Sequence, residues 1–456
     1  RRQREELAME GGFVSSCGVL GRGVARAVVG VSPRRRRGPV MDATDADAEP
    51  LDKRAERRRI MRGDMFNRSG FKETKDEAET MMTSEFTSDL IAEMRESPTF
   101  TVTKGDVTVK LAKAYGFCWG VERAVAIAYE TRKQFPDEKI WITNEIIHNP
   151  SVNNRLAEMG VEFVPQNGLE KDLTGVDEGD VVILPAFGAT LSEMQYLNDR
   201  KTQIVDTTCP WVSKVWNALD RHKRVNCTSV IHGKWKHEET IATASFAEKY
   251  IIVLNMDEAK YVSQYILKGG DREEFLSKFK NAMSDGFDPD KDLQAVGVAN
   301  QTTMLKGETE AIGKLFEKTM MEKFGPQNLN EHFIAFNTIC DATQERQDAM
   351  FDLIKEPMDI MLVVGGFNSS NTSHLQEIAE HANLTSYWVN HADCVGPGNK
   401  ILYRKSDGTE LVQENFLPAG PVTIGVTSGA STPDKVVEDV LEKVFMIHKL
   451  NAAVHA

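Results

Sequence analysis

The sequence contains no apolar run approaching the eighteen or so residues of a membrane-spanning helix. It contains no CxxC pair and no CxxxCxxC, so ordinary zinc ribbons and ferredoxin frameworks, whose ligands cluster, are excluded. No GxxxxGK[ST] loop is present, which argues against nucleotide hydrolysis, and no flavin or nicotinamide fingerprint appears. The cysteines are few and far apart: Cys17, Cys118, Cys209, Cys227, Cys340 and Cys394 in 456 residues. A small secreted disulfide scaffold does not look like that, and a reducing compartment is expected. The formal net charge of −13 speaks against a nucleic-acid binder.

Acidic residues are missing from 11 to 41, and the first forty residues hold nine Arg against three Glu. This is the composition of an organelle transit peptide, or of a disordered basic tail. Residues 42–62 are charged and poor in apolar side chains, so 1–63 reads as transit segment and disordered linker. Residues 64–106 read as an N-terminal extension packed on the core. Within it, Thr83-Ser84-Glu85-Phe86-Thr87-Ser88-Asp89-Leu90-Ile91 suggests a short capped helix.

From Val107 onward one grammar repeats: an apolar strand, a turn of Gly, Thr, Ser or Asn, then an amphipathic helix. Val107–Leu111, Val181–Leu184, Gln203–Asp206, Ile360–Val364 and Val422–Val426 are examples. Such alternation predicts an α/β fold with parallel sheets flanked by helices, and functional groups at the carboxyl ends of strands. Three of the turns carry a cysteine. They divide the chain into three similar α/β lobes: 107–205 with Cys118, 206–337 with Cys209, and 338–431 with Cys340. An insertion, partly helical, occupies 257–292, and 432–456 forms a C-terminal helix returning to the core.

Cys118 lies in a glycine-flanked turn ahead of helical spacing, where a helix N-terminus favours a thiolate. Alone, it reads equally as a small buried hydrophobe. Three cysteines in equivalent turns would hold a cubane iron–sulfur cluster with one iron lacking a protein ligand. They would also suit zinc with one added histidine, or be three unrelated core residues. Cys17, Cys227 and Cys394 lack the turn context. Ser369-Ser370-Asn371 and Ser431 open helices after strands, as anion-binding turns or as plain N-caps. Thr302-Thr303 repeats the theme. His148 and His237, the latter followed by Glu238 and Glu239, suit diphosphate binding and proton relay, or ordinary capping.

Together, Gly116-Phe117-Cys118-Trp119-Gly120-Val121, Glu145-Ile146-Ile147-His148-Asn149-Pro150, Asp206-Thr207-Thr208-Cys209-Pro210, Gln301-Thr302-Thr303, Ile339-Cys340-Asp341-Ala342-Thr343-Gln344, Asn368-Ser369-Ser370-Asn371 and Ser428-Gly429-Ala430-Ser431 resemble the 4-hydroxy-3-methylbut-2-enyl diphosphate reductases, in their plant and cyanobacterial form. The resemblance spans about 107–440. It implies three lobes arranged around a central [4Fe–4S] cluster held by Cys118, Cys209 and Cys340. It implies a diphosphate shell of His148, His237, Ser369, Ser370, Asn371 and Ser431, with Glu239 as proton-relay acid and Thr303 beside the substrate hydroxyl. The implied reaction is reductive dehydroxylation of the allylic alcohol diphosphate to isopentenyl and dimethylallyl diphosphate, which ends the methylerythritol phosphate route. Ferredoxin is the implied donor, the chloroplast stroma the implied location, and a monomer or homodimer the implied assembly. One departure stands out: Phe187 occupies a position where many bacterial members carry histidine, and phenylalanine cannot bond phosphate.

Overall fold

The structure, a computed structural model, describes residues 52–336 and 338–455. The expectation for residues 1–51 lies outside the described residues. Three sheets carry the fold. The first is five-stranded and parallel throughout, in the order Phe66–Asn67, Gln203–Asp206, Val181–Leu184, Ile140–Ile142, Val161–Phe163. The second is four-stranded and parallel: Tyr250–Val253, Thr228–His232, Val296–Asn300, Phe333–Ala335. The third has eight strands around a parallel centre of Ser386–Val389, Ile360–Val364, Val422–Ser428 and Val107–Leu111, with antiparallel edges. Central strands such as Ile360–Val364 are buried at every residue, as parallel sheets covered on both faces require. A final helix, Asp434–His455, packs Val436, Val437, Val440 and Leu441 into the core of the third sheet.

The first lobe boundary differs from the sequence reading. Val107–Leu111 pairs with Val422–Ser428 and so belongs to the third sheet, not the first. Hydrophobic periodicity marks a strand but says nothing of its partner, and here the partner lies some three hundred residues away. Only the helix after it, Trp119–Gln134, joins the first lobe, packing Ala124, Val125 and Ala128 against Ile140 and Ile142.

That displacement gives the fold a cyclic plan. The chain crosses from sheet three to lobe one at Cys118. It crosses from sheet one to lobe two at Cys209, where helix Pro210–Arg224 lays His222 against Gly297 of the second sheet. A Cβ at Gly297 would sit 2.4 Å from that ring, so the approach needs glycine. The chain crosses from sheet two to lobe three at Cys340, where helix Asp341–Leu353 packs Met350 and Leu353 with Met361 and Val363.

The linker expectation for 1–63 fails at its end. Lys53–Met61 is a helix with Asp52 as N-cap, accepting from the Arg54 and Ala55 N–H groups. Ile60 is buried, and the Arg57 guanidinium lies 4.4 Å from the centroid of the Trp216 ring. The helix docks through Ile60, Met61 and the Arg57 guanidinium on Trp216, a pattern that reads as polar tail in sequence. In the extension, the expected single capped helix is the end of one helix, Lys75–Phe86, and the start of another, Asp89–Glu96. Ser88 separates them, its Oγ accepting the Ile91 N–H at 3.0 Å. The 257–292 segment holds helices Met256–Lys268, Arg272–Lys278 and Pro289–Asp292 between two strands of the second sheet.

Candidate functional site

Each of the three crossing points is built alike. Two neighbouring parallel strands end together; one leads through a cysteine into a departing helix, the other ends in a loop carbonyl that accepts the cysteine N–H. Cys118 N–H donates to Ala430 O at 3.1 Å, Cys209 N–H to Ala186 O at 2.9 Å and Cys340 N–H to Thr302 O at 3.3 Å. Each cysteine is the N-cap of its helix. The exposed amides and the dipole of three helix N-termini therefore attend three sulfurs. Gly116 prepares the first turn with φ +69°, its N–H donating to Ser428 Oγ at 3.1 Å.

Cys118, Cys209 and Cys340 line one cavity of about 480 Å³, together with Trp119, Gly120, Trp211 and Arg346. Gly120 matters for size: a Cβ there would lie 2.5 Å from Cys209 Sγ. Burial pushes the Cys209 thiol up to about 11 and the Cys340 thiol up to about 12. Buried thiols of that kind stay protonated unless a bound cation takes the proton's place. No set of three ligand atoms including these sulfurs falls within 4.8 Å among the described residues. A single tetrahedral zinc, with bonds of about 2.3 Å, brings sulfurs to about 3.8 Å of one another. Among the described residues the three sulfurs are thus spread wider than the ligands of one tetrahedral ion.

The remaining candidates gather where loops from all three sheets meet. Ser431 Oγ donates to His148 O at 3.2 Å, and a Cβ at Gly366 would collide with that same carbonyl at 2.2 Å. Asn371 Oδ1 accepts the Ala430 N–H at 3.0 Å. Ser369 caps helix Ser370–His381, accepting the Thr372 N–H at 3.2 Å. Among these candidates, three buried atoms have no hydrogen-bond partner in the described residues: His148 Nε2, Ser370 Oγ and Asn371 Nδ2. Orphaned buried polar groups are costly, and several near one another mark a place for a polar guest.

The adjacent glutamates part company. Glu238 stays half-buried and points to the imidazoles, 3.5 Å from His148 Nε2 and 4.0 Å from His237 Nδ1. Glu239 is fully buried; Oε1 accepts the Thr302 N–H at 2.6 Å and Oε2 accepts the Thr302 hydroxyl at 3.0 Å. Burial raises its pKa to about 7, against the opposing pull of those two bonds. A carboxyl poised there can hold or release a proton at neutral pH. His237 is driven well below its ordinary value by burial and by its neighbours His148 and Lys234. Glu145 accepts from or shares a proton with His148 Nδ1 at 2.8 Å. The departure at Phe187 has a structural role: its ring stacks on His148 with centroids 4.1 Å apart and meets His237 edge-on at 5.8 Å.

The structure thus brings His148 together with His237, and Ser431 with the chain around Asn371. Thr303 is less central than its neighbour: it is half-buried and its Oγ1 accepts from Gln301 Nε2 at 2.8 Å. Thr302 was legible as part of a polar turn but not as the partner of Glu239; nothing in the spacing says which hydroxyl turns inward. Gly120 and Phe187 were also missed as shaping residues. Cys227 and Cys394 are buried away from the cavity, as their lack of turn context suggests.

A family model described as LytB protein matches residues 109–445. The chain belongs to the LytB family. Curated relatives include a Picosynechococcus protein, 63% identical over 395 residues, covering 87% of this chain and 98% of its own length. A Synechococcus protein is 59% identical over 399 residues, covering 88% and 100%. Both carry the name 4-hydroxy-3-methylbut-2-enyl diphosphate reductase. Among solved structures, the E-1-hydroxy-2-methyl-but-2-enyl-4-diphosphate reductase from Plasmodium falciparum superposes with a TM-score of 0.54 at 22% identity, covering 74% of this chain and 88% of that one. That likeness is one of fold. No helix of the described residues is long and apolar enough to cross a membrane.

Proposed function

We propose that this chain is an iron–sulfur reductase acting on (E)-4-hydroxy-3-methylbut-2-enyl diphosphate, yielding isopentenyl and dimethylallyl diphosphate as the last step of the methylerythritol phosphate pathway. The observation that carries the reading is the meeting of three helix-capping cysteines on one cavity with a buried glutamate and unpaired donors close by. Cys118, Cys209 and Cys340 would hold a [4Fe–4S] cluster, which supplies two electrons, one at a time, and a Lewis-acidic iron. The overall change takes two electrons and two protons. One proton leaves with the hydroxyl oxygen as water, and the other is added to carbon at either end of the allyl unit.

This chain's own residues bind, orient and protonate. His148, His237, Ser369, Ser370, Asn371 and Ser431 engage the diphosphate; the unpaired His148 Nε2, Ser370 Oγ and Asn371 Nδ2 support that assignment. Phe187 gives no hydrogen bond and instead props the His148 ring. Glu239 holds the proton delivered at the reacting carbon–oxygen bond, with Thr302 fixing its carboxyl and Thr303 lining the pocket beside it. A buried acid with a pKa near 7 is suited to that work. Ferredoxin is the donor in this reading, the plastid stroma is the setting, and the arginine-rich N-terminal stretch is the address. The assembly is a monomer or a homodimer.

The test is air-free purification followed by iron and acid-labile sulfide analysis and assay with a reduced one-electron donor. Roughly four of each per chain, with consumption of the allylic alcohol diphosphate, is expected. Zinc in place of iron, or serine at Cys118, Cys209 or Cys340 with full iron content and activity, would remove the reading.

A further inference from the structure

The charges at the diphosphate site do not balance on the residues assigned so far. A diphosphate brings several negative charges. Ser369, Ser370, Asn371 and Ser431 are neutral donors, burial pushes the His237 imidazole away from its charged form, and His148 sits against the carboxylates of Glu145 and Glu238, which offset any charge its ring carries. Glu145, Glu238 and Glu239 add carboxyl groups to the same region. Something must supply positive charge.

Lys234 stands three residues before His237 on the loop that follows strand Thr228–His232. Its backbone N–H donates to Gln301 Oε1 at 3.1 Å, which fixes the loop. Its Nζ donates to Ser373 Oγ at 2.9 Å, and Ser373 Oγ donates in turn to Ser370 O at 2.9 Å. The ammonium is thus tethered to the first turn of the helix whose start carries the unpaired Ser370 and Asn371. No carboxylate oxygen of the described residues lies within 4.0 Å of it. Glu377, the carboxylate that acts on it through space, is engaged with His374 Nδ1 at 2.8 Å. Lys236, two residues on, is exposed and tied to nothing in the site. Burial lowers the Lys234 pKa, and an anion at its side would restore the charged form. A lysine drawn in from solvent and left without an ion-pair partner is unfavourable unless a ligand completes it.

We infer that Lys234 is a further diphosphate-binding residue, supplying the counter-charge that the hydroxyl, amide and imidazole donors lack. The inference rests on the proposed function for the identity of the ligand, and on the geometry alone for the charge of the site.

The experiment compares wild type, Lys234→Met and Lys234→Arg as air-free holoproteins. It reads KM for the allylic alcohol diphosphate, kcat, and the dissociation constant of inorganic pyrophosphate by calorimetry. Lys234→Met should raise KM and weaken pyrophosphate at least about ten-fold, with kcat within about three-fold, because a missing ion contact weakens ground and transition states alike. Lys234→Arg, which keeps the charge, should recover most of the pyrophosphate binding. Iron content should be unchanged in all three. Wild-type pyrophosphate affinity in Lys234→Met overturns the inference. So does an equal loss in Lys234→Arg accompanied by a lower melting temperature, which would make Lys234 a structural tether. Pyrophosphate binding that depends on Lys234 in a protein that does not consume the alcohol diphosphate would support the anion site while sinking the proposed function.

Discussion

Replacing Thr302 by valine removes one hydroxyl and almost no volume, and it acts on a single carboxyl. In the native site Glu239 accepts two bonds from Thr302, one from the backbone and one from the side chain. Both stabilise the ionised form and oppose the burial that lifts its pKa to about 7. Valine keeps the backbone bond and deletes the other. A hydrogen bond to a charged group contributes about 1.5–3 kcal/mol. At about 1.4 kcal/mol per pKa unit, the Glu239 carboxyl should rise by roughly one to two units. With Glu239 as the proposed proton donor, activity belongs to its protonated form and falls as pH rises through its pKa. The wild-type alkaline limb should lie near pH 7, and the Thr302→Val limb should move up by roughly one to two units, by the same arithmetic. Thr302→Ser should bring it back. The assay is kcat against pH with saturating substrate and a chemical reductant, so that neither binding nor a protein donor limits. An unmoved limb in Thr302→Val, or a limb displaced to lower pH, would refute Glu239 as the proton donor held by Thr302.

Three further outcomes follow from the same geometry. Because the fold raises the Glu239 pKa above its unfolded value of 4.5, its contribution to stability is fully present below that value and is lost as pH rises through about 7. The loss is about 3 kcal/mol at most, so Glu239→Gln should abolish turnover while flattening the fall in melting temperature between pH 5 and 8; an unchanged slope would contradict the assigned burial. Gly120→Ala places a methyl against Cys209 Sγ and should lower bound iron markedly while leaving circular dichroism native; full iron loading would show that the sulfur position is not set there. Ile60→Ala should lower stability by about 2–4 kcal/mol, read as a lower denaturation midpoint, since Ile60 is fully buried. No change would return the helix Lys53–Met61 to the status of a loose tail.

The α/β class and the cysteine-bearing turns were legible because both are local. Strand, turn and cap residues sit within ten positions of one another, as at Val107–Leu111 and Cys118. What was not legible is long-range. Nothing near Val107 announces that its strand pairs with Val422–Ser428, so the cyclic plan, in which each cysteine marks a crossing between sheets, appears only in three dimensions. The helix Lys53–Met61 was missed because its docking uses Ile60, Met61 and an arginine on a tryptophan ring, not an extended apolar stripe. At the site, it was the family resemblance that singled out Glu239 over Glu238; the residues themselves did not separate them. The physical difference is that one carboxyl meets Thr302 in a dry pocket while the other faces the imidazoles. Phe187 reads in sequence as a lost contact. In the fold it is a prop for His148.

A count of electrons against product tests the proposed reductive dehydroxylation most directly. Air-free, iron-loaded protein would be given a limiting, titrated amount of one-electron reductant with excess (E)-4-hydroxy-3-methylbut-2-enyl diphosphate, and the five-carbon diphosphates quantified. Two electrons consumed per molecule formed, with both isopentenyl and dimethylallyl diphosphate present, is the predicted result. Product formed without electron consumption, or electrons taken up by the iron-loaded protein with no product, would contradict a reductive dehydroxylation at this site.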